Sequence, residues 1–161
     1  TVTKHLWGTF RRDPTPQKGI FTGLPPSLMM EPMMWYFLTG ILERHPNLKI
    51  VWVEPGLFWI PGFLEFLDRR MHQHYNFPGV KELPSTYWKR QMAVTFVDEP
   101  EAVNNRYELG IENLLWSTDF PHPCCNWPNA QAKVAEMFKD MPEEETDKIT
   151  WGNGARMYGF A

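Results

Sequence analysis

Asn113-Leu114-Leu115-Trp116-Ser117-Thr118-Asp119-Phe120-Pro121-His122-Pro123 is the stretch that decides how this chain folds. Leu114 to Trp116 is a short apolar run of the kind a buried strand makes. Polarity switches at once to Ser117, Thr118 and Asp119, and Pro121 and Pro123 stop any ladder from continuing. A carboxylate, Asp119, is therefore expected at the carboxyl end of a buried strand, with the His122 imidazole three residues on. In parallel α/β folds that end of a strand is where chemistry sits. The competing reading is that Asp119 caps the turn or helix that follows, a place Asp favours.

Two stretches upstream have the same form. Leu48 to Val53 is almost continuously apolar apart from Lys49, which suits a strand covered on both faces, and it runs into Glu54-Pro55-Gly56. A third strand is expected from Met92 to Val97, ending in Asp98-Glu99-Pro100, whose acidic pair reads as charge at the amino end of the helix that follows. That helix is short, reaching Leu109 with Gly110 as its stop.

Pro32 to His45 is expected to be helical. Met33, Phe37 and Ile41 repeat at four-residue spacing, as do Met34, Leu38 and Leu42, and Pro46 ends the run. The Met-rich stripe reads as core, with a substrate-lining role as the alternative. A second helix spans about Trp59 to Tyr75, burying Ile60, Leu64, Leu67, Met71 and His74, with Glu65, Asp68 and Arg69 facing away. His72 and His74 stand two apart and point in different directions on a helix, the wrong spacing for a shared metal.

Thr1 to Pro26 and Asn76 to Tyr87 read as loops rich in Pro and Gly. Beyond the loop Phe120 to Pro128, helical segments are expected at about Asn129 to Lys139, from Pro142 to Glu145, and near Asn153 to Tyr158. Strand and helix alternate three times, the pattern of βα units on a parallel sheet.

The 161 residues are 43% hydrophobic and 22% charged, which excludes a disordered chain. A net charge of −3 with no basic block excludes nucleic acid as a partner. No apolar run is long enough to cross a bilayer, and the amino terminus has no basic-then-apolar signal. Trp 8 and Phe 11 point to a pocket or a substantial subunit contact. Cys124 and Cys125 are adjacent and do not argue for a secreted disulfide scaffold, so a cytoplasmic setting is expected. Thr1, Val2 and Thr3 read as the end of something extended, as if the chain opened inside a longer polypeptide.

Three segments together resemble the carboxyl-terminal half of the amidohydrolase-related metal-dependent hydrolases, the group that includes aminocarboxymuconate-semialdehyde decarboxylase and resorcylate decarboxylases. The first is Glu43-Arg44-His45-Pro46-Asn47-Leu48-Lys49-Ile50-Val51, running into Glu54-Pro55-Gly56 and on to Leu67-Asp68-Arg69. The second is Trp116 to Pro123 with Trp127-Pro128, and the third is Gly152-Asn153-Gly154-Ala155-Arg156-Met157-Tyr158-Gly159. Their order and spacing fit over essentially the whole chain.

The resemblance implies a (β/α)8 TIM barrel, a fold of about 250 residues. Residues 1–161 would be its carboxyl-terminal portion, incomplete on the amino-terminal side, carrying strands six to eight with their helices. The family's early His-x-His pair has no counterpart; His72-Gln73-His74 lies on the wrong element, and His5 is the one candidate for the fifth-strand metal histidine. Asp119 matches the aspartate that binds metal from the eighth strand. A carboxylate oxygen there suits one divalent ion, zinc first and manganese second. Glu54 stands roughly where the decarboxylases carry a catalytic histidine, a departure that leaves it as a general base, a support for a metal-bound histidine, or an ion-pair partner.

His122, Trp59 and Phe58 are the candidate substrate contacts, with a backbone-satisfied loop histidine as the other reading of His122. A zinc site made of His122 with Cys124 and Cys125 lacks a second ligand pair. Trp127 is expected to pack the loop on the barrel rim, and Arg156 with Tyr158 to lock the final helix to the barrel.

The function implied is a metal-dependent hydrolase or decarboxylase acting on a small carboxylated or cyclic compound, as a homo-oligomer or paired with the missing barrel half. The alternatives are a non-catalytic half-barrel serving assembly, whose open sheet edges would need covering, and a ligand-binding domain that uses the aromatic pocket without metal.

Overall fold

The computed structural model describes residues 16–74, 77–122 and 125–160. The expectations for Thr1 to Thr3, for His5, for the side chains of His72 and His74, and for Cys124 lie outside the described residues. Cys125 is a free thiol.

Three strands form one parallel sheet in chain order: β1 (Ile50–Trp52), β2 (Met92–Phe96) and β3 (Leu114–Trp116). The register sets Ile50 opposite Met92 and Trp52 opposite Val94, then Val94 opposite Leu114 and Phe96 opposite Trp116. Side chains alternate faces along a strand, so this register sorts them cleanly. Ile50, Trp52, Met92, Val94, Phe96, Leu114 and Trp116 share the face that joins the main apolar core. Val51, Ala93, Thr95 and Leu115 share the other. Ala93 and Leu115 are buried as well, so both faces of the sheet are covered, as parallel sheets require.

Helices flank each strand. Ahead of β1 come α1 (Pro16–Gly23), α2 (Pro25–Leu38) and α3 (Ile41–Arg44). Between β1 and β2 lie α4 (Ile60–His74) and α5 (Pro84–Gln91), and between β2 and β3 lie α6 (Pro100–Asn104) and α7 (Arg106–Leu109). A 3-10 turn, Ile111–Asn113, feeds β3. After it come α8 (Ala130–Met137), α9 (Glu143–Asp147), a π-helical stretch Lys148–Gly152, and α10 (Asn153–Tyr158).

The three strands stand where the sequence put them, the first two a little shorter and the third with the expected bounds. Two helices stand where loops were expected: α1 within Thr1 to Pro26, and α5, which starts within Asn76 to Tyr87 and runs on to Gln91. The helix expected from Pro32 begins at Pro25 instead and carries Pro32 in its interior. In α2, α5 and α6 a proline occupies the first or second helical position. There its missing N–H costs nothing and its fixed φ favours the helix, so the residue that argued for a loop is the one that starts the helix. The helix also ends earlier than its apolar repeat suggests. Gly40 turns left-handed at φ 70°, and a Cβ there would come within 2.8 Å of the Gly79 carbonyl oxygen.

Met33 and Phe37 on α2, Leu42 on α3, and Ile60, Leu64 and Leu67 on α4 are buried in the core. The Met-rich stripe is therefore packing where Met33 is concerned. Asp68, expected to face away, instead accepts the Ser85 N–H at 3.1 Å and ties α4 to the start of α5.

Three buried carboxamides fasten the amino ends of the strands. Gln91 Nε2 donates to the carbonyls of His45 (2.9 Å) and Leu48 (3.3 Å), just ahead of β1. Asn113 Nδ2 is shared among the carbonyls of Trp88, Lys89 and Met92 at 3.0, 3.2 and 2.6 Å. Asn153 Nδ2 reaches the carbonyls of Ile111 (2.7 Å) and Leu114 (2.9 Å). Arg156 adds an ion pair to Glu112 and a bond to its carbonyl at 2.7 Å, so Arg156, of the expected pair Arg156 and Tyr158, ties the final helix to the turn that feeds β3. Tyr158 is exposed.

Replacing Asn113 by Ala leaves buried carbonyls without a donor, a loss of about 2–3 kcal/mol. The expected result in urea unfolding is a lower midpoint with an unchanged slope.

Candidate active site

The carboxyl ends of the three strands converge on two residues in an uncommon backbone state. Glu54 has φ 52° and Asp119 has φ 55°, and these are the described non-glycine residues with positive φ. Such a conformation costs roughly 1–3 kcal/mol and persists only where the surroundings over-determine it. Asp tolerates it better than Glu, so Glu54 carries the greater strain.

Hydrogen bonds from two neighbouring strands hold Glu54. Its N–H donates to Thr95 Oγ1 at 2.9 Å, and Thr95 Oγ1 donates in turn to Glu54 Oε1 at 2.9 Å. Ser117 Oγ donates to the same Oε1 at 2.7 Å. Thr95 belongs to β2, while Ser117 directly follows β3 and extends its ladder by donating its N–H to the Phe96 carbonyl at 2.9 Å. By the two-residue alternation, Thr95 and Ser117 lie on the sheet face that the main core does not use.

A third carboxylate, Glu99, stands beside this group. Its Oε2 accepts the Leu57 N–H at 2.7 Å, fixing the turn after Glu54. Glu99 occupies the cap position of α6, yet its side chain makes no capping bond there. Burial pushes its carboxyl above the ordinary range, the Leu57 N–H pulls it back, and the charges of Glu54 and Glu101 push it up further. Asp98, its neighbour, is exposed and pairs with Lys133 at 3.5 Å.

Asp119 opens a turn in which its carbonyl accepts the His122 N–H at 2.7 Å. Its Oδ2 lies 3.0 Å from His122 Nδ1, with side chains 30% and 33% exposed. Among the described residues the Asp119 carboxylate takes no backbone N–H, and its Oδ2 faces the His122 imidazole. Thr118 braces the turn, its Oγ1 accepting the Phe120 N–H at 3.3 Å and its carbonyl the Asn126 N–H at 3.2 Å.

The structure thus joins Glu54, through Ser117, to the strand that delivers Asp119, and pairs Asp119 with His122. Trp59 sits elsewhere: it is buried in the core, its Nε1 donates to the Pro55 carbonyl at 3.0 Å, and its ring meets Phe63 edge-on. Phe58 is 66% exposed. Trp127 is also exposed and leans on Phe120, with ring centroids 5.4 Å apart. Thr95, Ser117 and Glu99 were given no site role from sequence. Thr95 had a signal, as the one hydroxyl in the apolar run Met92 to Phe96.

Among the described residues no group of three or more His, Cys, Asp or Glu side chains is placed to hold a metal ion. These residues therefore do not make a metal centre by themselves. The carboxylate oxygens at this end of the sheet are those of Glu54, Glu99 and Asp119. Among the described residues no helix is long and apolar enough to cross a membrane.

Comparison with known proteins accords with this geometry. The family profile for amidohydrolases matches residues 7–160. No curated protein sequence matches the chain at a significant level. Among solved structures, 5-carboxyvanillate decarboxylase from Sphingomonas paucimobilis is 27% identical with a TM-score of 0.63, covering 76% of this chain and 37% of its own. Dihydroxybenzoic acid decarboxylase from Polaromonas sp. JS666, solved with bound manganese and the inhibitor 2-nitroresorcinol, is 19% identical with a TM-score of 0.69 over 92% of this chain and 48% of its own. The amidohydrolase map2389c from Mycobacterium avium subsp. paratuberculosis K-10 is 19% identical with a TM-score of 0.75 over 95% of this chain and 38% of its own. The chain thus spans half or less of the length of these neighbours, and its three parallel strands with their helices are a partial TIM barrel. The chain belongs to the amidohydrolase family.

A carboxyl that holds its proton more tightly when folded stabilises the fold at low pH and loses that contribution as pH rises through its raised value. Glu99→Gln removes the loss while keeping an oxygen for Leu57. The variant's melting temperature minus the parent's is therefore expected to grow from about pH 4 to about pH 7, as read by thermal scans across that window.

Proposed function

We propose that this chain is the carboxyl-terminal portion of an amidohydrolase-type barrel whose complete form is a metal-dependent hydrolase or carboxy-lyase acting on a small carboxylated or cyclic compound. The observation that carries this reading is the pair of left-handed carboxylates, Glu54 and Asp119, at the carboxyl ends of β1 and β3. Strain is retained at just the positions where a barrel of this kind does its chemistry.

In the complete protein Asp119 is one ligand to a divalent ion, zinc or manganese, with the other ligands supplied by the remaining barrel strands. The ion, when bound, lowers the pKa of a coordinated water or orients a substrate carboxylate. His122 holds the Asp119 carboxylate in one orientation through its Nδ1. Glu54 moves the proton that either reaction requires: hydrolysis takes one from water, and loss of carbon dioxide returns one to the carbon left behind. Glu99 adds a carboxyl beside it whose affinity for a proton is raised by burial. The likeness to the 5-carboxyvanillate and dihydroxybenzoic acid decarboxylases supports a small aromatic acid as the substrate to try first.

A non-catalytic half-barrel is the second reading, favoured by the outer edges of β1 and β3, which pair with no other strand among the described residues. It gives no reason for the strain at Glu54 or for three carboxylates at one end of the sheet.

Metal analysis of the full-length polypeptide tests the proposal. The expected content is close to one zinc or manganese per barrel, lost in Asp119→Ala and retained in Glu54→Gln. Glu54→Gln is expected to lower turnover by about 10²–10⁴-fold. Substoichiometric metal that is indifferent to Asp119→Ala sinks the catalytic reading.

A further inference from the structure

We propose that Thr95 and Ser117 are positioning residues for Glu54: their hydroxyls converge on one carboxylate oxygen, Oε1, and so commit the other, Oε2, to the reacting group. The inference deepens the proton-transfer reading of Glu54 and rests on it.

Both hydroxyls donate to Oε1, at 2.9 Å from Thr95 and 2.7 Å from Ser117. Among the described residues no donor reaches Oε2. A carboxylate has room for about four hydrogen bonds, two on each oxygen, and here both protein donors crowd onto the same one. Thr95 also accepts the Glu54 N–H, so one hydroxyl fixes backbone and side chain together. That double attachment is what holds a non-glycine residue at φ 52°.

The two donors arrive from different strands. Thr95 is in β2 and Ser117 follows β3, with Thr95 opposite Leu115 in the register. Two residues on from Leu115, on the same face, is Ser117. A carboxylate carried at the end of β1 is thus held from β2, its neighbour in the sheet, and from the end of β3, one strand further on. The chemical consequence is selective. Oε2 is left as the open acceptor of the carboxylate. It suits a donor, such as a substrate hydroxyl, an N–H, or a water about to lose a proton, and it repels a bare carboxylate.

The test uses the full-length polypeptide. Unequal hydrogen bonding makes the two C–O bonds unequal and moves the antisymmetric and symmetric carboxylate stretches apart. The infrared difference between the parent and Glu54→Gln isolates the Glu54 bands. A wider splitting than hydrated glutamate is expected, collapsing to the hydrated value when Thr95→Val and Ser117→Ala are combined and kept in Thr95→Ser. A parent splitting equal to hydrated glutamate, or one that the double variant leaves in place, overturns the proposal.

Turnover of 5-carboxyvanillate supplies the second arm. Thr95→Val is expected to lower kcat about tenfold with KM unchanged, Thr95→Ser to restore it, and Thr95→Val to cost nothing further in a Glu54→Gln background. An equal loss in that background shows a merely structural role and overturns the proposal. A parent with no turnover counts against the functional reading alone, while the infrared arm still decides whether the hydroxyls aim Glu54. Ser117→Ala takes the place of Thr95→Val should the latter not fold.

Discussion

The structure depends on three side-chain amides buried beneath the sheet. Gln91, Asn113 and Asn153 are each no more than 4% exposed. Each spends its NH2 group on backbone carbonyls where a helix hands over to a strand or packs against its start. Parallel strands meet their partners only after a long crossover, so nothing local sets their register. The amides do so from a distance, and a buried carbonyl left without a donor is expensive enough to enforce the arrangement. Gly110 shows how tight the fit is: its φ is 90°, and a Cβ there would meet Asn113 Oδ1 at 2.3 Å.

A fixed register at one end of the sheet determines what meets at the other. With Thr95 paired to Leu115, the hydroxyls of Thr95 and Ser117 fall on one face and can share Glu54 Oε1. A slip of one residue would turn both to the opposite face and leave Glu54 without the bonds that justify its backbone. Stability is thus concentrated at the amino ends of the strands, in apolar contacts and satisfied amides. Strain and charge are concentrated at the carboxyl ends, in Glu54, Glu99 and Asp119. The two ends are coupled because the second is tolerable only while the first holds.

Much of this was legible in the chain. The apolar runs ending in Glu54, in Asp98-Glu99 and in Ser117-Thr118-Asp119 located all three strands and marked which of their ends would be polar. The helices α1 and α5 were not legible, because Pro and Gly between apolar segments signal a turn as readily as a helix start. Only packing, with Tyr87 and Trp88 buried on α5, decides between them. Trp59 and Phe58 illustrate the same limit at the site. Two aromatics in a row after a candidate catalytic turn both looked able to line a pocket, yet one is buried in the core and the other is exposed.

The sequence by itself determined the class of fold, the order of its strands, the family, and the acidic residue that each of the outer strands would carry, because these follow from local periodicity and from residue types at fixed spacing. The tertiary structure alone decided that Glu54 is held by Thr95 and Ser117, that Glu99 turns from its helix to the Leu57 amide, and that Asp119 faces His122. Those facts depend on contacts between residues 41, 63 and 42 positions apart in the first two cases and on a backbone dihedral in the third. Neither quantity is written in the local pattern of a chain; both emerge only when the strands are laid side by side.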